Sequence, residues 1–244
     1  MSTQWFTGRV LSTVYLSPSI KYLKVQVEGP DVFEFTAGQF VTFDLPVGEK
    51  RLQRWKSYSI ANPPMKDNIL EFCVVKLVNG LGSTYLVDVV QPGDTLKFKA
   101  ADGNFVLPEV LDKDVVMICT GTGVAPFRSM LQHLDRNHGF TRKVHLIFGT
   151  RRKENILFQD EFEAMRNNNP SFEYTIVLSQ EKNWEGVKGY VHPIYLNEYA
   201  TQRTDIQFYL CGWSNMVDQA VANLFVTLGY DRQQIVYELY GNKP

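Results

Sequence analysis

Residues 54–62, Arg54-Trp55-Lys56-Ser57-Tyr58-Ser59-Ile60-Ala61-Asn62, gather cationic, aromatic and hydroxyl side chains within the length of one short strand. Extended alternation puts Lys56, Tyr58 and Ile60 on one side and Ser57, Ser59 and Ala61 on the other. A cofactor with a flat aromatic system and an anionic tail needs a ring to stack on, a cation for phosphate and a small hydrogen-bonding group near its reactive atoms. This segment carries all three. The same composition equally suits a half-buried strand with a solvated cationic edge. A second stretch, residues 114–131, opens with an apolar run at 115–119 that has the length and lack of alternation of a strand covered on both faces. Thr120-Gly121-Thr122-Gly123 follows, and its two glycines let the chain turn sharply and bring N–H groups close to a ligand. Pro126 then opens a helix where its missing N–H costs nothing. Strand, glycine turn and helix N-terminus together make a phosphate seat, or a tight connection that binds nothing.

The elements that must position these residues divide the chain in two. Residues 7–17, 20–29, 39–46, 57–63, 68–78 and 94–102 are short runs rich in Val, Ile, Phe, Tyr and Leu, punctuated by Gly, Pro, Asp and Asn. They predict an antiparallel barrel or sandwich, interrupted by one helix over 83–90 just after Asn79-Gly80-Leu81-Gly82. The loop 102–112 is the boundary, giving domains at 1–108 and 109–244. Beyond it, strands at 115–119, 143–149, 173–178, 206–211 and 234–239 alternate with helices at 126–137, 154–167, 191–199 and 214–228. That alternation predicts a doubly wound, five-stranded parallel sheet, whose ligands sit beyond the carboxyl ends of the strands. Gly121-Thr122-Gly123 and Cys211-Gly212 both fall at that edge.

At 244 residues, two domains are the default expectation. The formal net charge of -1, from 25 Lys and Arg against 26 Asp and Glu, comes without a long basic run, which argues against life on nucleic acid. The opening MSTQWFTGRVLS lacks the charged and apolar regions of an export signal, and no apolar stretch approaches the ~20 residues needed to cross a bilayer. Three widely spaced cysteines, Cys73, Cys119 and Cys211, fit a reducing, cytoplasmic compartment and offer no zinc or iron–sulfur ligand set. Redox chemistry here would have to come from an organic cofactor. His133, His138, His145 and His192 show no metal-ligand spacing and are expected in surface or packing roles. Cys73 and Cys119, inside apolar runs, are expected to be small core residues.

Lys56-Ser57-Tyr58-Ser59 resembles the Arg-x-Tyr-Ser flavin motif of the ferredoxin–NADP(H) reductase-like family. Gly80-Leu81-Gly82-Ser83-Thr84 is similar to that family's flavin-phosphate loop, and residues 120–126 to its nicotinamide-nucleotide loop. Cys211-Gly212-Trp213-Ser214-Asn215-Met216 matches its Cys-Gly-x-x-x-Met segment, and Ala37-Gly38-Gln39 its Ala-Gly-Gln strand. All five stand in family order from about Gly8 to Gly241. The resemblance implies a β-barrel that carries FAD, less often FMN, and an α/β domain that takes NADH or NADPH so that hydride passes to the flavin. By position, Tyr58 would stack on the isoalloxazine and Ser59 would hydrogen-bond near its reactive nitrogen. Ser57 belongs to the same motif. Val74, Val75 and Lys76 would line the cofactor, and Gly82, Ser83 and Thr84 would meet its phosphate. Thr120, Gly121, Thr122, Gly123 and Pro126, with Gly212 and Met216, would serve the dinucleotide, and Cys211 would sit by the nicotinamide.

Departures from the family pattern leave choices open. Lys56 stands where the family has Arg, so either Lys56 or Arg54 meets the flavin phosphate. Tyr240 takes the place of a C-terminal aromatic that covers the flavin, but four residues follow it and would have to turn away. Arg151, Arg152 and Lys153 suit the 2′-phosphate of NADPH, whereas Gln180 stands where NADPH-specific relatives place Arg; the balance tips slightly to NADPH. Glu238 is either a proton carrier or a solvated carboxylate, and Trp213 either shapes the nicotinamide pocket or anchors its loop. With a fused ferredoxin module absent from this sequence, the expected acceptor is a separate ferredoxin or flavodoxin. A flavin or quinone reductase, an oxygenase reductase component, and a flavin-free binding module remain the alternatives.

Overall fold

The computed structural model describes residues 4–137 and 139–240. His138 and the residues after Tyr240, on which the sequence also placed expectations, lie outside the described residues. Contacts divide the chain into two units, residues 1–107 with 125–133, and residues 108–124 with 134–244.

The first unit is a six-stranded antiparallel sheet. Its strands are β1 (Trp5–Ser17), β2 (Ile20–Val27), β3 (Phe40–Asp44), β4 (Trp55–Ser59), β5 (Ile69–Val75) and β6 (Thr95–Lys99), in the order β4-β3-β6-β1-β2-β5. A short helix α1 (Arg51–Arg54) leads into β4, and α2 (Leu81–Thr84) runs on as a wider π turn over Tyr85–Val89. Alternation does what the sequence asks of it: Leu23, Val25 and Val27 of β2 are wholly buried. Phe43, Phe72 and Phe98 interlock edge to face at the centre of this core, with ring centroids 5.1–5.6 Å apart. The edge strands β4 and β5 share no ladder; they are joined just past β4, where the Ala61 N–H donates to Glu71 O at 2.7 Å. The Asn62 side chain extends that junction, donating to Ile69 O at 2.9 Å and accepting from the Glu71 N–H at 2.8 Å. A side-chain amide here does the work of the missing strand.

The second unit carries a parallel sheet of β7 (Asp114–Thr120), β8 (Val144–Thr150), β9 (Phe172–Leu178), β10 (Val187–Lys188), β11 (Ile206–Trp213) and β12 (Ile235–Tyr240). Strand order is β10-β9-β8-β7-β11-β12. The expected five strands are all present, and the two-residue β10 adds a sixth at the edge. Its helices are α3 (Val124–Asn137), whose residues 125–133 belong to the first unit, α4 (Gln159–Asn168), α5 (His192–Glu198) and α6 (Ser214–Ala222). The helix expected to begin at residue 154 begins at Gln159, because Phe158 adopts a left-handed conformation (φ 56°) that breaks it from the single turn at Lys153–Asn155. Strand order reverses between β7 and β11, the switch point at which doubly wound sheets bind ligands. Among the described residues, no helix is long and apolar enough to cross a membrane.

Candidate cofactor and dinucleotide sites

In the first unit the side chains of β4 separate as alternation requires. Tyr58 leans on the core, its ring 5.9 Å from that of Phe43, and burial pushes its hydroxyl well above the ordinary tyrosine range. Lys56 lies on the same side and donates to Leu52 O at 2.8 Å. Its stem lies against α2: a Cβ added to Gly82 would meet Lys56 Cγ at 2.8 Å. Glycine at 82 therefore lets the start of α2 approach β4, and it brings together two segments that the sequence assigned separately to phosphate. Arg54 is differently engaged. Its Nε and Nη2 donate to the two Asp44 oxygens at 2.8 and 2.9 Å, a bidentate pair that occupies the guanidinium fork. On the other side of β4, Ser57 is exposed and shares a 2.9 Å hydrogen bond with the Thr42 hydroxyl, while Ser59 is buried.

The Ser83 hydroxyl accepts from the Leu77 N–H and donates to Gly80 O, both at 3.0 Å, so its side chain shapes its own loop. The Thr84 N–H donates to Gly80 O at 2.8 Å and closes the turn. Val74 is fully buried in the core, Val75 is half-buried, and Lys76 pairs with Asp88 at 2.5 Å. The lysine has donors to spare beyond Leu52 O, and it stands beside a glycine-opened helix start, so this unit fits the anionic tail of a flavin dinucleotide.

Sequence reasoning missed a buried polar network in the same unit. Arg128, 8% exposed, donates to Tyr22 Oη at 3.2 Å, to Ala61 O at 3.0 Å and to Glu71 Oε2 at 3.1 Å. Tyr22 donates to the same carboxylate, and Ser129 Oγ donates to Asn62 O at 2.6 Å. Two residues of α3 thus hold the chain at positions 61 and 62, immediately beyond Ser59 and Ile60. The signal was present: Arg128 follows Phe127 on the apolar face of α3, where a charge has to be paired.

In the second unit the two glycine turns pack on each other. Gly121 has φ 55°, a conformation that favours glycine. Gly123 lies against β11, where an added Cβ would come within 2.5 Å of Cys211 O. Gly212 has φ 139°, and its Cβ would meet Thr120 Oγ1 at 2.5 Å. The Trp213 N–H donates to that same hydroxyl at 3.4 Å. Thr122 and Pro126 are buried, with Pro126 inside the first turn of α3, where a missing N–H is tolerated. Cys211 is fully buried, paired in register with Glu238 of β12 and with Cys119 of β7. Burial first, then the Glu238 charge, pushes its thiol well above the ordinary range, and the Tyr240 side chain hydrogen-bonds to it. Cys211, Glu238 and Tyr240 are therefore brought together. Met216 is buried in the core beneath α6, whereas Trp213 is 47% exposed. Arg151, Arg152 and Lys153 are exposed beyond β8, and the Gln180 N–H donates to Arg151 O at 2.8 Å. Cys73 and Cys119 are buried, and neither forms a disulfide.

Known proteins match both units. The oxidoreductase FAD-binding domain matches residues 7–107, and the oxidoreductase NAD-binding domain residues 117–222. Ferredoxin--NADP reductase B of Sorangium cellulosum (strain So ce56) is 31% identical over 241 residues, covering 96% of this chain and 97% of that protein. The chain belongs to the ferredoxin–NADP(H) reductase-like flavoprotein oxidoreductases. This reductase-like chain also aligns, 28% identical over 232 residues, with the phenol hydroxylase P5 protein of Acinetobacter pittii (strain PHEA-2); it is covered over 94% of its own length and spans 64% of that relative. A crystal structure of a ferredoxin NADP+ reductase from Neisseria gonorrhoeae with bound FAD and NADP superposes with a TM-score of 0.76 at 25% identity, over 96% of this reductase-like chain and 98% of that one. The first unit is accordingly a FAD-binding module and the second an NAD-binding module of an oxidoreductase.

Proposed function

We propose that this flavoprotein passes hydride from NADPH to FAD and single electrons onward to a separate ferredoxin or flavodoxin in the cytoplasm. The observation that carries the reading is the end-to-end match with ferredoxin--NADP reductase B, a relative of nearly the same extent. FAD, when bound, supplies the exchange between two-electron and one-electron transfer, and the protein supplies positioning and electrostatics. Residues 1–108 form the flavin domain and residues 109–244 the dinucleotide domain. Lys56 rather than Arg54 is the phosphate cation, since Arg54 is committed to Asp44 and Lys56 stands against Gly82. Gly82, Ser83 and Thr84 meet the phosphate through backbone N–H groups, Tyr58 carries the flavin ring, and Ser59 hydrogen-bonds near its reactive edge. The turns at Gly121–Gly123 and 211–212 receive the nicotinamide dinucleotide, with Cys211, Glu238 and Tyr240 grouped beside them. Arg151 and Arg152, both exposed, favour NADPH.

A second reading, the reductase component of an oxygenase, is favoured by the match to the phenol hydroxylase P5 protein. Steady-state rates with both dinucleotides against ferredoxin, flavodoxin, free flavin and quinone separate the two. Turnover of ferredoxin or flavodoxin supports the first; its absence overturns it.

A further inference from the structure

At the edge of the second sheet opposite the glycine turns, His145 and Glu173, near the amino ends of β8 and β9, meet Glu198 at the end of α5. The imidazole is 4% exposed. Its Nδ1 lies 3.3 Å from Glu198 Oε2 and 3.9 Å from Glu173 Oε2, and one donor atom from each of the three residues lies within 4.8 Å of the others. Its Nε2 is 2.8 Å from Thr175 Oγ1. The three side chains line a cavity of about 290 Å3. Among the described residues, neither carboxylate has a lysine or arginine partner: Arg203, on the same cavity, is held by Asp114 at 2.6 Å and Asp205 at 2.9 Å.

We propose that His145, Glu173 and Glu198 bind a divalent first-row cation, with Zn2+ the representative ion. An imidazole nitrogen with two carboxylate oxygens is a donor set for Zn2+ and its neighbours rather than for Mg2+ or Ca2+. Tetrahedral zinc holds its ligand atoms about 3.3 Å apart. The Nδ1–Glu198 separation already meets that spacing, and the Glu173 carboxylate, 59% exposed, has room to turn inward. Thr175 provides the support that metal-ligating histidines use: with the ring proton on Nε2, its Oγ1 accepts the Nε2–H hydrogen bond and Nδ1 presents its lone pair. The Tyr199 hydroxyl, 2.7 Å from Nδ1, gives up that contact when the ion binds and turns to the adjoining carboxylates. Two acidic side chains converging without a cation are repulsive, and an ion between them removes the repulsion. The cation's place lies at the sheet edge away from the dinucleotide turns, so it is structural rather than redox-active.

Calorimetric titration of ZnCl2 into the chelator-washed flavoprotein tests this, together with thermal denaturation. The expected result is one-to-one binding and a raised Tm. Glu173→Gln and Glu198→Gln, both at half-exposed positions, each weaken binding at least ~10-fold, and Thr175→Val weakens it ~10- to 100-fold. Mg2+ binds far more weakly than Zn2+. No one-to-one binding below about 1 mM Zn2+ overturns the proposal. Unchanged binding in both glutamate variants also overturns it, since the ion then sits elsewhere, and so does equal affinity for Mg2+. Each outcome is independent of which dinucleotide or electron acceptor the enzyme uses.

Discussion

Replacing Arg128 by methionine keeps most of the buried stem and removes the guanidinium. Three acceptors then lose a donor: Tyr22 Oη, Ala61 O and Glu71 Oε2. The Arg128 and Glu71 side chains are 10% and 16% exposed, so the orphaned carboxylate is poorly solvated. Breaking a buried ion pair by deleting one partner costs ~3–5 kcal/mol. Glu71 retains the Tyr22 hydroxyl and has Lys24 at 3.8 Å, which places the expected loss at the lower end, about 3 kcal/mol. Because the chain has two units, one global unfolding curve would blur this; amide hydrogen exchange of residues 59–62 reads the affected segment directly. A loss of about 3 kcal/mol corresponds to roughly 10²-fold faster exchange there. Glu71→Gln removes the charge from the other side, and the double variant should lose less than the sum of the two singles, because one shared interaction is removed twice. Exchange at 59–62 within threefold of the parent in Arg128→Met would refute the reasoning. So would strict additivity of the two substitutions.

Gly123→Ala forces a Cβ to within 2.5 Å of Cys211 O and 2.8 Å of Gly212 Cα, both backbone, so the end of β11 must shift; kcat/KM for the dinucleotide should fall ~10²-fold while flavin content stays at the parent's. Parent-like kinetics in that variant would count against a dinucleotide role for the turn. Cys119 and Cys211, buried and held protonated by burial, should resist iodoacetamide at pH 8 in the native protein and label only after denaturation; prompt native labelling of either would show the thiols to be accessible. His192, 2.7 Å from the Tyr195 hydroxyl, has its pKa lowered by burial from the ordinary 6.5. As pH falls below 6.5 the unfolded chain takes up a proton that the folded one resists, so stability declines with acidification. Urea midpoints of the parent and His192→Gln between pH 5 and 8 should converge toward acid; parallel curves would exclude the histidine as a source.

Both units were legible because each obeys one clean period. Leu23, Val25 and Val27 alternate into a core, and the apolar run of β7 is buried without alternation, as a parallel strand between two layers must be. β10 left no trace because its two residues, Val187 and Lys188, are both exposed and carry no pattern. The helix expected from residue 154 begins only after Phe158, whose left-handed backbone no periodicity reports. For the sites, glycines and hydroxyls could be read as types, but what each side chain holds could not. Asp44 captures Arg54 because register sets Asp44 opposite Trp55, and register is a property of two strands rather than of the motif itself.

The proposed role of Lys56 rests on that capture. Arg54 closes α1 and Lys56 lies two residues on in β4, and nothing in their spacing chooses between them. The choice is made by neighbours: a carboxylate from β3 takes the arginine, and a glycine at the start of α2 leaves space against the lysine stem. A compact ammonium with unused donors can follow a phosphate that a fixed guanidinium fork, already filled by Asp44, cannot. On the proposed reading, then, the phosphate meets a point charge at Lys56, while the arginine two residues before it is held in a bidentate pair with Asp44.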